Sequence, residues 1–216
     1  MYVADQAASN GRGAVAAPVA RGPILVRGPS ELRAGWEVAT RTSTAALTLG
    51  EVQAVVKVLV RAPAHGLVAA ALPPLGRAER RGDALLIGSG PGEWLLLASG
   101  MTTQELVAQF LPAPGEEFVS SVDLTHGRAL LRLSGADSAR TLAKVCSVNL
   151  ADSFCPDRSA LRAPVASVTT DIVRDDRSSL RSYLVHCERS SGQFLFEALL
   201  DAGAEFGAEA VGLLGL

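Results

Sequence analysis

The feature that most constrains this chain is an order of hydrophobic patterns that occurs twice. Residues 52–111 read strand, helix, strand, strand, helix, and residues 128–206 read the same order again. The halves also match locally: Trp94-Leu95-Leu96-Leu97 precedes a T-x-x-E helix start, and Tyr183-Leu184-Val185-His186 precedes an S-x-x-Q start. A strand run that returns through a helix, twice over, implies an α+β fold made of duplicated split-βαβ units.

The individual elements carry different signals. Val52, Ala54, Val56, Val58 and Val60 alternate with Gln53, Lys57 and Arg61, the period of two of a strand with one buried face. Leu67–Leu72 predicts a short helix, which Pro73-Pro74 ends because proline has no backbone donor. Ala84–Ile87 and Trp94–Ala98, joined by Gly88-Ser89-Gly90-Pro91-Gly92, predict a hairpin. Thr102 and Glu105 form a capping box ahead of Leu106, Val107, Phe110 and Leu111.

Strands are expected around Phe118–Val122 and over Ala129–Leu133, with a turn at Thr125-His126-Gly127 between them. Ser134 with Asp137 signals a cap for a helix over Ala136–Cys146, whose apolar stripe makes Cys146 a core residue. Val165–Val173 and Ser182–Cys187 predict strands, and Ser190 with Gln193 predicts the cap of a last helix rich in Phe and Leu. Near the start, Ser30 predicts the cap of a short helix over Glu31–Val38. Residues 1–22 show neither period and read as an N-terminal tail, leaving 23–216 as one α+β domain.

Composition excludes several classes. With 48% hydrophobic residues, 19% charged residues and a net charge of -2, the chain has a core to bury and no electrostatic footprint for nucleic acid. No apolar run of ~18 residues is present to span a bilayer, and the start lacks the basic and apolar segments of a secretory signal, so a cytoplasmic location is the expectation. Cys146, Cys155 and Cys187 contain no C-x-x-C pair and read as buried free thiols. His65, His126 and His186 lack metal-ligand spacing, so no metal site is assigned.

The motifs that resemble chemistry are incomplete. The glycine-rich segment at 88–92 leads into a strand rather than a helix, and Pro91 removes an amide donor, so it reads as a hairpin turn and not a phosphate loop. Asp123 and His126 provide two parts of a nucleophilic relay, the basis of a hydrolase reading, but no G-x-S-x-G elbow supplies the third. Asp175-Asp176-Arg177 reads as a solvated turn. No catalytic, cofactor-binding or metal residue is therefore assigned, and Trp94, His126 and Arg128 are the candidates for a subunit interface.

Val122-Asp123-Leu124-Thr125-His126-Gly127-Arg128, then Leu131-Arg132-Leu133-Ser134-Gly135, then Leu142–Leu150, resemble the gamma subunit of heterotetrameric sarcosine oxidase. Gly90-Pro91-Gly92-Glu93-Trp94-Leu95 resembles that family's G-P-x-E-W-L segment, and the likeness runs from about Ala45 to Phe206. The resemblance implies a fold similar to the folate-binding aminomethyltransferase-like proteins. It implies a complex in which an N-methyl amine is oxidised on a flavin and the one-carbon unit passes to tetrahydrofolate. The alpha, beta and delta subunits of such a complex hold FAD, FMN, NAD, tetrahydrofolate and zinc, and the gamma subunit holds no cofactor. The alternative is a stand-alone folate-binding or one-carbon-transfer protein.

Overall fold

The structure is a computed structural model and describes residues 19–33, 36–113 and 115–216. Most of the expected tail, through position 18, lies outside the described residues. Its end does not: Ala20–Arg21 form a strand, β1, paired in parallel with Trp36-Glu37. The helix expected over Glu31–Val38 is instead a pair of antiparallel strands, β2 (Ser30–Arg33) and β3 (Trp36–Ala39). Around Glu37 the sequence alternates, and only a strand buries Val38 while leaving Glu37 free to meet Arg21 at 2.9 Å.

The alternating run expected as one strand is two. β4 (Thr48–Val52) and β5 (Val55–Arg61) are separated at Ala54, whose φ of 55° lies in the left-handed region. That kink sends β4 into a six-stranded sheet and β5 into a five-stranded one, so one apolar run serves both.

The first half continues as α1 (Leu67–Ala71), β6 (Ala78–Arg81), β7 (Ala84–Gly90), β8 (Glu93–Ser99), α2 (Thr103–Phe110) and β9 (Ser120–Asp123). The second runs β10 (Arg128–Ser134), α3 (Ser138–Val145), β11 (Ala160–Val165), β12 (Val168–Arg174), β13 (Ser182–Glu188), α4 (Gly192–Gly203) and β14 (Glu209–Leu214). The sheet orders β6-β7-β8-β5-β9 and β11-β12-β13-β10-β4-β14 share their first four places, so the duplication is present, with more strands per half than the sequence pattern suggested.

Two of the extra strands explain themselves. Residues 160–174 form a hairpin through Ala166 and Ser167, both at positive φ (47° and 67°), the geometry of a tight turn usually marked by Asn-Gly. Ala-Ser gave no such mark. β14 adds in parallel to β4 at the sheet edge.

Among the described residues, α1–α4 sit outside and the six- and five-stranded sheets face each other, giving layers α, β, β, α, with β1, β3 and β2 forming a separate small sheet. On one outer side Leu142, Leu195 and Leu199 pack on Leu49, Leu131 and Val185. On the other, Val68, Leu106 and Phe110 pack on Val58, Val60 and Leu96. Leu85, Leu95 and Leu97 of one sheet meet Leu130, Val173 and Leu184 of the other in the central layer. Cys146, Cys155 and Cys187 are free and buried, as expected.

Of the four cap signals in the sequence, the one at Ser30 falls on a helix that does not form, and one of the other three is realised. At α2, Glu105 N–H donates to Thr102 Oγ1 (3.2 Å) and Thr102 N–H donates to Glu105 Oε2 (2.8 Å), the reciprocal box. Thr102→Ala should cost about 1 kcal/mol, read as a lowered denaturation midpoint at unchanged slope. At α3, Asp137 makes no side-chain cap and instead accepts from Arg140 at 2.7 Å. Before α4, residues 189–191 form a 3-10 turn, and Gln193 accepts from Leu25 N–H (2.6 Å) and donates to Glu197 (2.7 Å), which ties the N-terminal segment to the helix.

Candidate functional site

The chemistry-bearing side chains gather in three places, two of them at opposite ends of the layer between the sheets. At one end Asp175, fully buried at the end of β12, accepts from Arg80 (2.7 Å), Arg132 (2.9 Å), Arg177 (3.1 Å) and Arg158. The reading of Asp175 as part of a solvated turn is corrected: four arginines from separate segments turn inward to meet it. Burial by itself raises its pKa, but the arginine hydrogen bonds and charges outweigh that and hold it at about 2.

At the other end Glu93 meets Arg61 (3.1 Å) and Arg162 (2.8 Å), Arg162 meets Asp171 (2.6 Å), and Asp171 Oδ2 lies 3.5 Å from His186 Nδ1. This chain of ion pairs lines a cavity of about 190 Å³ reached by both sheets. Burial lowers the His186 pKa despite Asp171, so the ring is held neutral, and its Nε2 has no partner among the described residues. Every carboxylate at the two ends is matched by an arginine, so no carboxylate there is left as a free base, and His186 Nε2 is the unpartnered basic nitrogen of the second end among the described residues.

The third place contains two of the three residues singled out in the sequence. His126 stacks on Trp36 with ring centroids 5.2 Å apart and planes 9° from parallel. Arg128 pairs with Glu188 at 2.8 Å. Both line a cavity of about 290 Å³ with Trp36, Glu51, Lys57 and Arg189. Burial pushes the Glu51 carboxyl up to about 7, and burial likewise lowers Lys57 to about 8.

Trp94 is elsewhere. It is 4% exposed beneath α1 and α2, and its indole N–H donates to Pro73 O at 2.9 Å, so it is a core anchor and not a surface contact. Asp123 does not orient His126: its carboxylate accepts from Thr103 Oγ1 and from Thr125 N–H (2.8 Å), and so ties the turn to α2. The relay considered for Asp123 and His126 is therefore not assembled.

Sequence reasoning missed Trp36, Glu51, Lys57, Arg189 and the Asp171–His186 pair. Trp36 fell inside an expected helix, and Lys57 was assigned to a solvated strand face that a second sheet in fact covers. Asp171 and His186 are fifteen positions apart in sequence and become neighbours only through the β12–β13 register.

No family model matches the sequence. A curated relative, an aminomethyltransferase from Geobacillus thermodenitrificans, is 29% identical over 131 residues, covering 61% of this chain and 35% of its own length. The chain thus spans about a third of that relative. Among solved structures, a chain of the heterotetrameric sarcosine oxidase from Corynebacterium sp. U-96 superposes with a TM-score of 0.65 at 24% identity, covering 80% of this chain and 91% of that one. The glycine cleavage system aminomethyltransferase T from Bartonella henselae gives 0.62 at 18% identity, covering 85% and 55%.

The fold is the aminomethyltransferase-like one. In this chain it is built from the duplicated halves and the paired sheets described above.

Proposed function

We propose that this chain is a non-catalytic, gamma-type subunit of a sarcosine oxidase-like complex, packing against flavoprotein subunits and supporting their assembly. The observation that carries this reading is the extent of the likeness to the oxidase chain, 91% of whose length is matched, against 55% for the transferase structure. The sites agree with it. Acids and arginines between the sheets neutralise one another, and the cavity at His186, about 190 Å³, is below the ~300–1,000 Å³ usual for small-molecule sites. A folate does not fit there, and no reaction step is assigned to those residues.

On this reading the partners are alpha, beta and delta subunits, and FAD, FMN, NAD, tetrahydrofolate and zinc belong to them. The reaction would be the oxidative demethylation of sarcosine or a related N-methyl amino acid, carried out by the neighbours. Co-expression of tagged chain with the flavoprotein chains is expected to give a complex with a flavin absorption spectrum that survives gel filtration. Recovery of the tagged chain alone, with the flavoproteins assembled without it, would count against the proposal.

The 29% identity to an aminomethyltransferase favours one second reading, a stand-alone folate-binding or one-carbon-transfer protein. Titration of the isolated chain with tetrahydrofolate separates the two, since saturable micromolar binding is expected only of the second.

A further inference from the structure

Ion pairing elsewhere in this chain makes one cavity conspicuous. Lys57 is 6% exposed, and its Nζ donates to Thr125 O at 3.0 Å. Arg189 donates to Arg21 O at 2.6 Å and to His126 O at 3.5 Å. Among the described residues neither cation has a carboxylate within the 4.0 Å of an ion pair. By contrast, the cations at the two inter-sheet ends all have one, and so do the other two arginines of this cavity, Arg33 with Glu31 and Arg128 with Glu188.

Lys57 and Arg189 line the same space of about 290 Å³. Glu51 is the one acid in its lining, and it is engaged by Gln53 Nε2 at 2.7 Å rather than by either cation. Val38, Val55, Val56 and the Trp36 indole, which is stacked on His126, supply the apolar part of the wall. A buried ammonium whose hydrogen bond goes to a carbonyl, with Glu51 and Asp123 acting on it only through their charge from beyond ion-pair distance, carries a desolvation cost that is compensated only in part, and an anion delivered to it would be bound in a low-dielectric setting. Small inorganic anions would leave the valines and the indole without contacts, whereas a flat apolar body would cover them.

We propose that this cavity binds a small organic carboxylate with a flat apolar body, the carboxylate held by Lys57 and Arg189 and the body by Trp36 and the neighbouring valines. This site is separate from the assembly role and does not depend on it.

Purified full-length chain titrated with benzoate, with benzamide and with inorganic phosphate tests it. The chain has two tryptophans, one of them the buried Trp94, so a saturable change in fluorescence reports Trp36, and calorimetry provides the second readout. Benzoate is expected to bind at least about tenfold more tightly than its uncharged isostere benzamide and than phosphate, since a charge-assisted hydrogen bond contributes on that scale. Arg189→Gln, in a partly exposed turn, should fold normally by circular dichroism and weaken benzoate about tenfold, and Lys57→Met should do the same. Should Lys57→Met fail to fold, Arg189→Gln and the benzoate-to-benzamide ratio still decide. No saturable benzoate binding, equal binding of benzamide or phosphate, or a folded Arg189→Gln chain with unchanged affinity would each overturn the proposal.

Discussion

Asp175→Asn is expected to destabilise the chain by about 3–5 kcal/mol, the scale of removing one partner from a buried ion cluster. For a chain of this length that is a fall in Tm of about 10 °C. Four arginines converge on this carboxylate, and Arg132 is almost as buried as Asp175 itself, so removing the negative charge leaves cations facing one another between the sheets. The pH dependence gives an independent check. The folded-state pKa is depressed from 3.8 to about 2, so the stabilisation is fully present above about pH 4 and is lost as pH falls through about 2. A shift of that size corresponds to about 2 kcal/mol, and Asp175→Asn should flatten the stability profile over that window. A variant whose denaturation curve overlays that of the parent chain would show that the cluster holds nothing together.

The same cluster shows where reading the sequence reached its limit. Strand and helix identities were legible wherever one face of an element meets a core, because burial imposes a period: the alternation at Val56–Val60, the stripe through Leu142 and Cys146, and the box at Thr102 and Glu105 all recur in the structure. Polar residues on the opposite strand faces were taken as solvated. That inference fails when a second sheet covers them, and Lys57, Arg132, Asp171, Asp175 and His186 all lie on faces covered in this way. Nothing local to those positions announces a partner that is 43 or 95 residues away, as Arg132 and Arg80 are from Asp175. Turn chemistry misled for a different reason. Ala54, Ala166 and Ser167 adopt positive φ without being Gly or Asn, so the kink between β4 and β5 and the β11–β12 hairpin left no mark in the sequence.

Trp94→Ala is the second large effect, expected at about 3–5 kcal/mol in the isolated chain, with Trp94→Phe costing roughly 1–2 kcal/mol because it keeps most of the packing and loses the donor. The argument starts from the Gly-rich turn that precedes it. A side chain at Gly88 would meet Pro74 O at 2.3 Å, and one at Gly92, which has φ of 65°, would meet Ala62 O at 2.4 Å. The glycines therefore let the β7–β8 hairpin lie directly on two neighbouring backbones. Trp94 N–H then fastens Pro73 O, Glu93 joins Arg61 to Arg162 across the two sheets, and Leu95 enters the central core. Each residue of the Gly92-Glu93-Trp94-Leu95 run thus has a structural task in this chain, and Trp94 performs its own without any partner subunit. Urea denaturation of the purified chain is the measurement. A Trp94→Ala chain of unchanged stability that had lost only its association with other proteins would return Trp94 to the interface and remove the assignment made here.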